Sequence, residues 1–138
     1  MGKRREGREA ALQFLFSNEL NRLDDDAQRG AFWELRRAKP SVRAFAEELI
    51  KGTNDHLEEI DALIDAATPD YDLDRISKVD HNILRIAIFE LIHLTEVPQP
   101  VVINEAIEMG KRFSGEESGK FINAVLDSIR KKLSVAGN

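Results

Sequence analysis

Three kinds of residue in this chain have types that could do chemistry: three histidines, a glycine-flanked lysine, and a cluster of arginines at the start. The histidines are His56, His81 and His93. A metal ion needs three or four ligands gathered within about 2 Å of it. His81 and His93 fall twelve residues apart in one expected helix, about 18 Å along its axis, so no single ion joins them. They are expected to be surface or capped histidines. The stretch GEESGKF (115–121) looks like a phosphate loop, but only three residues separate its glycines and Phe121 stands where a Mg²⁺-binding hydroxyl is needed. Two of those three residues are acids, which repel phosphate. Cysteine is absent, which excludes disulfides, thiolate nucleophiles and cysteine metal sites. The carboxylates fall mostly on one expected solvent face, and no acid–base pair emerges from them. The chain therefore reads as a non-enzyme without a cofactor.

The arginines are the more informative group. The chain begins MGKRREGREAALQFLF, with Lys3, Arg4, Arg5 and Arg8 ahead of an apolar helix, although the net charge is −5. Arg5, Arg8, Leu12, Leu15 and Phe16 are spaced by 3, 4, 3 and 1 residues, so the arginines continue the azimuth of the buried stripe. That placement predicts a cationic edge overhanging the core, suited to phosphate. A frayed, solvated terminus is the plainer alternative. Near the other end Lys120 precedes Phe121, a cation beside an aromatic, the pairing that single-stranded nucleic acid uses. Phe121 equally fits a core position next to Ile122, and its spacing alone leaves both readings open. Charge is distributed accordingly. Residues 47–74 carry ten acids against Lys51 alone (net −9), whereas residues 1–13 are net +2 and 111–133 net +3. If the ends meet, a basic face exists despite the acidic total.

The elements that must position these groups all read as helix. Leu12, Leu15, Phe16, Leu20 and Leu23 form the first stripe, and Asp24, Asp25 and Asp26 mark a turn. A second helix is expected over 27–37, with Phe32, Trp33 and Leu35 as its apolar content and Pro40 ending it. Ser41 is a candidate cap for one long third helix running through Phe45, Leu49, Ile50, Leu57, Ile60, Leu63 and Ile64. The turn-rich segment 68–74 divides the chain into halves of about 1–70 and 71–138 within one domain. Asp80 is a candidate N-cap for the next helix, whose stretch 83–94 is apolar on every side and should be central. Val102, Ile103, Ala106, Ile107, Gly110 and Phe113 make the following stripe. Ser114 and Glu117 match a capping box for a last helix buried through Ile122, Val125, Leu126, Ile129 and Leu133. No alternating strand pattern, repeat or apolar run long enough for a bilayer is present, and no signal core follows the basic start. The expectation is an all-α, soluble, cytoplasmic protein.

The segments DHNILRIAIFEL (80–91), VPQPVVINEAIEMGKRF (97–113) and GEESGKFINAVLD (115–127), with REGREAALQFLF (5–16), resemble the transcription antitermination factor NusB family in order and spacing. Residues 24–75 match only in helical character and length. The resemblance implies two perpendicular three-helix subdomains and no enzymatic activity. It implies binding of single-stranded boxA-type RNA together with the ribosomal protein NusE, in RNA polymerase complexes that read through terminators, notably in ribosomal RNA operons. Carried over by position, Arg4, Arg5 and Arg8 become RNA contacts, as do Glu117, Lys120 and Phe121, and Asp80 falls on the NusE-facing side. The family includes dimers, so a homodimer is compatible with it. Gln99-Pro100 departs from the aromatic and lysine common there, and Gly7 and Gly119 predict looseness in the first and last helices, at about 1 kcal/mol each against alanine. Two other readings stand beside this one. The first is a helical protein-interaction module without RNA contact. The second is a stand-alone relative of the RNA-guiding domain of ribosomal RNA cytosine methyltransferases, for which 138 residues leave no room for a cofactor-binding α/β domain.

Overall fold

The computed structural model describes residues 2–21 and 26–136. Among these it contains seven α-helices, a single-turn 3-10 helix at Leu73–Arg75, and no strand. The helices are α1 (Lys3–Asn21), α2 (Asp26–Leu35), α3 (Pro40–Asp55), α4 (Leu57–Ala67), α5 (Lys78–His93), α6 (Gln99–Ser114) and α7 (Glu116–Ala136). The expected inward Leu23 and the Asp24–Asp25 part of the turn lie outside the described residues, as does the side chain of Leu20.

The helix that is apolar all round is the central one. α5 packs against α1, α3, α4, α6 and α7, and its residues from His81 to Leu91 are buried except for Arg85, which is half-buried. One apolar cluster joins Leu12 and Leu15 of α1, Leu49 of α3, Ile60 and Ile64 of α4, Ile83 and Ile88 of α5, and Leu126 and Ile129 of α7. Both halves of the sequence thus contribute to the same core. Burial of such side chains stabilises by roughly 1.5–3 kcal/mol each.

Several local expectations are corrected. The long third helix is two helices, broken at His56, whose backbone N–H donates to Gly52 O at 3.2 Å and whose Nδ1 lies 2.9 Å from the same oxygen. The preceding Gly52-Thr53-Asn54-Asp55 are all poor helix formers, which explains the break. Pro40 opens α3 rather than closing α2, so Ser41 lies inside the first turn and Lys39 holds the cap position. Ser77, not Asp80, caps α5; its Oγ accepts from the Asp80 N–H at 3.1 Å. Ser114 is the last residue of α6, so it forms no capping box. Gly115, at φ 109°, turns the chain directly into α7, and its N–H donates to Gly110 O (3.0 Å) and Lys111 O (3.1 Å). That positive φ is one only glycine adopts readily.

Gly7 and Gly119 do not loosen their helices. α1 is helical from Lys3, and a Cβ on Gly7 would lie 2.7 Å from Cδ2 of Phe45. A Cβ on Gly119 would lie 2.8 Å from Cγ of Lys111. Both glycines permit close helix approach. Leu35 and Phe113, expected inside, are 92% and 49% exposed. His81, expected at the surface or in a cap, is buried. No helix among the described residues is long and apolar enough to cross a membrane.

Candidate nucleic-acid interface

The azimuth read for the arginines holds, but the two inner ones reach different surroundings. Arg8 is 3% exposed, and its Nε and Nη2 donate to the two oxygens of Glu90, each at 2.8 Å. Glu90 is itself 1% exposed, an acid in the middle of the central helix. A buried carboxylate requires such a partner, so Arg8 is a strut between α1 and α5 rather than an overhanging cation. Its guanidinium also lies 5.7 Å from the centre of the Phe45 ring and 3.5 Å from Glu105 Oε1.

Arg5 stands one turn nearer the end, half-buried, and pairs bidentately with Glu105 of α6: Nε to Oε1 at 3.1 Å and Nη2 to Oε2 at 2.7 Å. Hydrogen bonding from Arg5, helped by the charges of Arg5, Arg8 and Arg112 and opposed by burial, holds the Glu105 carboxyl below the ordinary range. Arg4 is exposed. Together Arg4, Arg5 and Arg8 line one side of a cleft of about 790 Å³, with Val97, Pro98, Pro100 and Val101 opposite. A second cleft of about 710 Å³ shares Arg5 and Asn104 with the first and continues past Lys111 and Arg112 to Glu116 at the start of α7. The two clefts form a track along α6, with guanidinium and ammonium groups from two helices interspersed with the carboxylates of Glu105, Glu108 and Glu116. Lys111 and Arg112 were counted in the sequence only as charge. They are exposed, and Arg112 pairs with Glu9 of α1. Their signal was the adjacent Lys-Arg pair in the last turn of α6.

The other expected contacts cluster on the opposite flank of α7. Gly119 faces Ile107 and Lys111 of α6. Phe121 follows two residues later, about 200° further round the helix, and faces away from α6. Its ring meets Tyr71 with centroids 5.9 Å apart at 67°. Lys120 is exposed and lies 3.5 Å from Glu117, itself almost fully exposed. The structure therefore groups Arg4 and Arg5 with Lys111 and Arg112, pairs Phe121 with Tyr71, and sets Glu117 and Lys120 beside Phe121 on α7. It does not place Phe121 beside Arg8. The Asp80 carboxylate accepts a hydrogen bond from the hydroxyl of buried Ser118, tying the first turn of α5 to the first turn of α7.

A polar network braces the far side of α5. Burial pushes the Asp61 carboxyl up, but hydrogen bonds from His81 Nε2 (2.9 Å) and from Arg85 Nε and Nη2 (2.9 and 2.8 Å), with their charges, outweigh this and hold it at about 2. His56 and His93 stack with ring centres 4.0 Å apart. Among the described residues no three histidine or acidic side chains converge as a metal site.

The described residues thus form an all-helical body that carries a line of basic side chains and a pair of aromatic rings. The comparisons with known proteins are specific. Residues 5–131 match the model of the NusB family. The transcription antitermination protein NusB of Sorangium cellulosum (strain So ce56) is 41% identical over 133 residues, covering 96% of this chain and 95% of that protein. T. maritima NusB superposes with a TM-score of 0.83 at 36% identity, covering 95% of this chain and 92% of that one. A crystal structure of antitermination factors NusB and NusE in complex with dsRNA superposes with a TM-score of 0.86 at 28% identity, over 96% and 98%. The chain belongs to the NusB family, whose members are non-enzymatic transcription antitermination proteins.

Proposed function

We propose that this protein binds single-stranded boxA-type RNA together with the ribosomal protein NusE, and that the complex helps RNA polymerase read through terminators, notably in ribosomal RNA operons. The observation that supports the reading is the line of basic side chains beside α6, from Arg4 and Arg5 to Lys111 and Arg112, which outnumber the interspersed Glu105, Glu108 and Glu116. Phosphates lie along this track. Arg8 acts from behind, fixing the direction in which α1 presents Arg4 and Arg5. Lys120 adds a charge beyond α7, Phe121 supports base stacking, and Glu117 beside them limits how closely a phosphate approaches. Asp80, on the NusE-facing side, holds the start of α7 through Ser118. On this reading the protein acts on nascent RNA, in the cytoplasm.

The test is a titration of boxA-type single-stranded RNA, a scrambled strand and a duplex, with and without NusE, across salt. With about three or four phosphates engaged, log K falls against log salt with a slope of about −2 to −3. Arg4→Ala with Arg5→Ala flattens the slope by about 1.4. A flat dependence in the unaltered protein removes the electrostatic account. Sedimentation of the same samples reports whether the protein acts as a homodimer.

A second reading, a protein-interaction module without RNA contact, draws on one observation: Arg5 and Arg8 already have carboxylate partners. It predicts intact NusE binding with no RNA affinity.

A further inference from the structure

Tyr71 is the only tyrosine of the chain. It sits in the turn between α4 and the 3-10 helix and is 51% exposed, one of few large apolar side chains left in water. Its neighbours in sequence, Asp70 and Asp72, are exposed acids, and Asp74 is another. An exposed aromatic amid carboxylates has no core to serve.

What holds it is Phe121. That ring is half-buried and packed against the core cluster, and it meets Tyr71 edge-to-face, centroids 5.9 Å apart. Such a contact favours one orientation of the outer ring. The pair has a division of labour: Phe121 is anchored and largely covered, and Tyr71 is presented to solvent. Lys120 projects from the same turn of α7. We infer that Tyr71, backed by Phe121, is the platform on which an unpaired RNA base stacks.

The charges sort the ligand. The carboxylates at positions 70, 72 and 74 repel phosphate, so a nucleotide approaches base first, with its phosphate on the Lys120 side. Carboxylates also accept hydrogen bonds from exocyclic amino groups of bases, whereas a base locked in a duplex presents no free face. Preference for single strands follows from this ledge.

The inference rests on the RNA-binding reading above, and the experiment separates the two. The probe is the boxA-type single strand, together with a set of the same strand each carrying one abasic nucleotide. Tyr71→Ala is expected to weaken binding by about 5- to 150-fold, with the salt slope unchanged because no charge is lost. Tyr71→Phe restores affinity. One abasic position costs the unaltered protein a similar factor and costs the Tyr71→Ala protein nothing further. Lys120→Ala does the opposite, flattening the slope by about 0.7. If the unaltered protein binds RNA and Tyr71→Ala binds equally well, the platform is wrong and the RNA reading stands. If Tyr71→Phe is as weak as Tyr71→Ala, the hydroxyl and not the ring carries binding, and stacking is overturned. Loss of NusE binding alone assigns the ring to a protein interface and also overturns it. No RNA binding by the unaltered protein removes both readings.

Discussion

Replacing Arg8 with methionine leaves the Glu90 carboxylate buried at 1% exposure, without the two 2.8 Å hydrogen bonds that satisfy it. Orphaning one member of a buried ion pair costs about 3–5 kcal/mol, against a total stability of roughly 5–15 kcal/mol for a domain of this kind. The converse change, Glu90→Leu, should be milder, since Arg8 lies 3.5 Å from Glu105 and can turn to it. Removing both charges, Arg8→Met with Glu90→Leu, returns stability to within about 2 kcal/mol of the starting protein or above it, because neither desolvated ion remains. Urea unfolding of the four proteins, followed by circular dichroism, gives the coupling energy, expected at about 2–3 kcal/mol. A cost below about 1 kcal/mol for Arg8→Met would refute the reasoning, since it would mean that water already reaches the pair. The same double variant reads the role of Arg8 in binding. An unchanged salt slope with RNA identifies a strut, and a loss of about 0.7 in slope returns Arg8 to the phosphate contacts.

Three other outcomes follow. The Asp61 carboxyl, lowered from 3.8 to about 2, contributes about 1–2 kcal/mol after allowance for partial solvent screening. That contribution is complete above pH 4 and fades as pH falls from about 4 to 2, so Asp61→Asn lowers stability at neutral pH and flattens the acid limb in that window. Gly7→Ala sets a helix gain of about 1 kcal/mol against overpacking of Phe45 by about 1–3 kcal/mol, and calorimetry should show net destabilisation. Ser118→Ala removes the bond to the Asp80 carboxylate at a cost of about 1–3 kcal/mol, and hydrogen exchange should quicken first at residues 116–119.

Some features were plain in the residues because they rest on long periodic patterns. The central position of α5 follows from apolar side chains on every side of 83–94, and the inward stripe of α7 from Ile122, Val125, Leu126 and Ile129. Helix ends were harder, since Ser77 and Asp80 both have capping side chains and only the backbone decides between them. The break at His56 hid beneath an apolar period that continues across it, although Gly52-Thr53-Asn54-Asp55 signalled weak helix. Arg8 showed its azimuth but not its partner. The clue was Glu90, a lone acid inside the most apolar run, which needs a cation from elsewhere. The site divided in the same way. Arg4 and Arg5 were readable as a tip, whereas Lys111 and Arg112 joined them only through the ion pairs that link α1 to α6, Arg5 with Glu105 and Arg112 with Glu9. Tyr71 gave no sign in sequence, because its meaning depends on a ring fifty residues later.

The pairing of Arg8 with Glu90 and of Arg5 with Glu105 spans 82 and 100 residues of chain. A ribosome therefore delivers the two guanidiniums long before it delivers the carboxylates that receive them. Contacts of such sequence separation close late, and synthesis proceeds from the N-terminus at about 5–20 residues per second. At that rate Glu90 and Glu105 follow their arginines by about 5–20 s, and until then those arginines are open to any polyanion nearby.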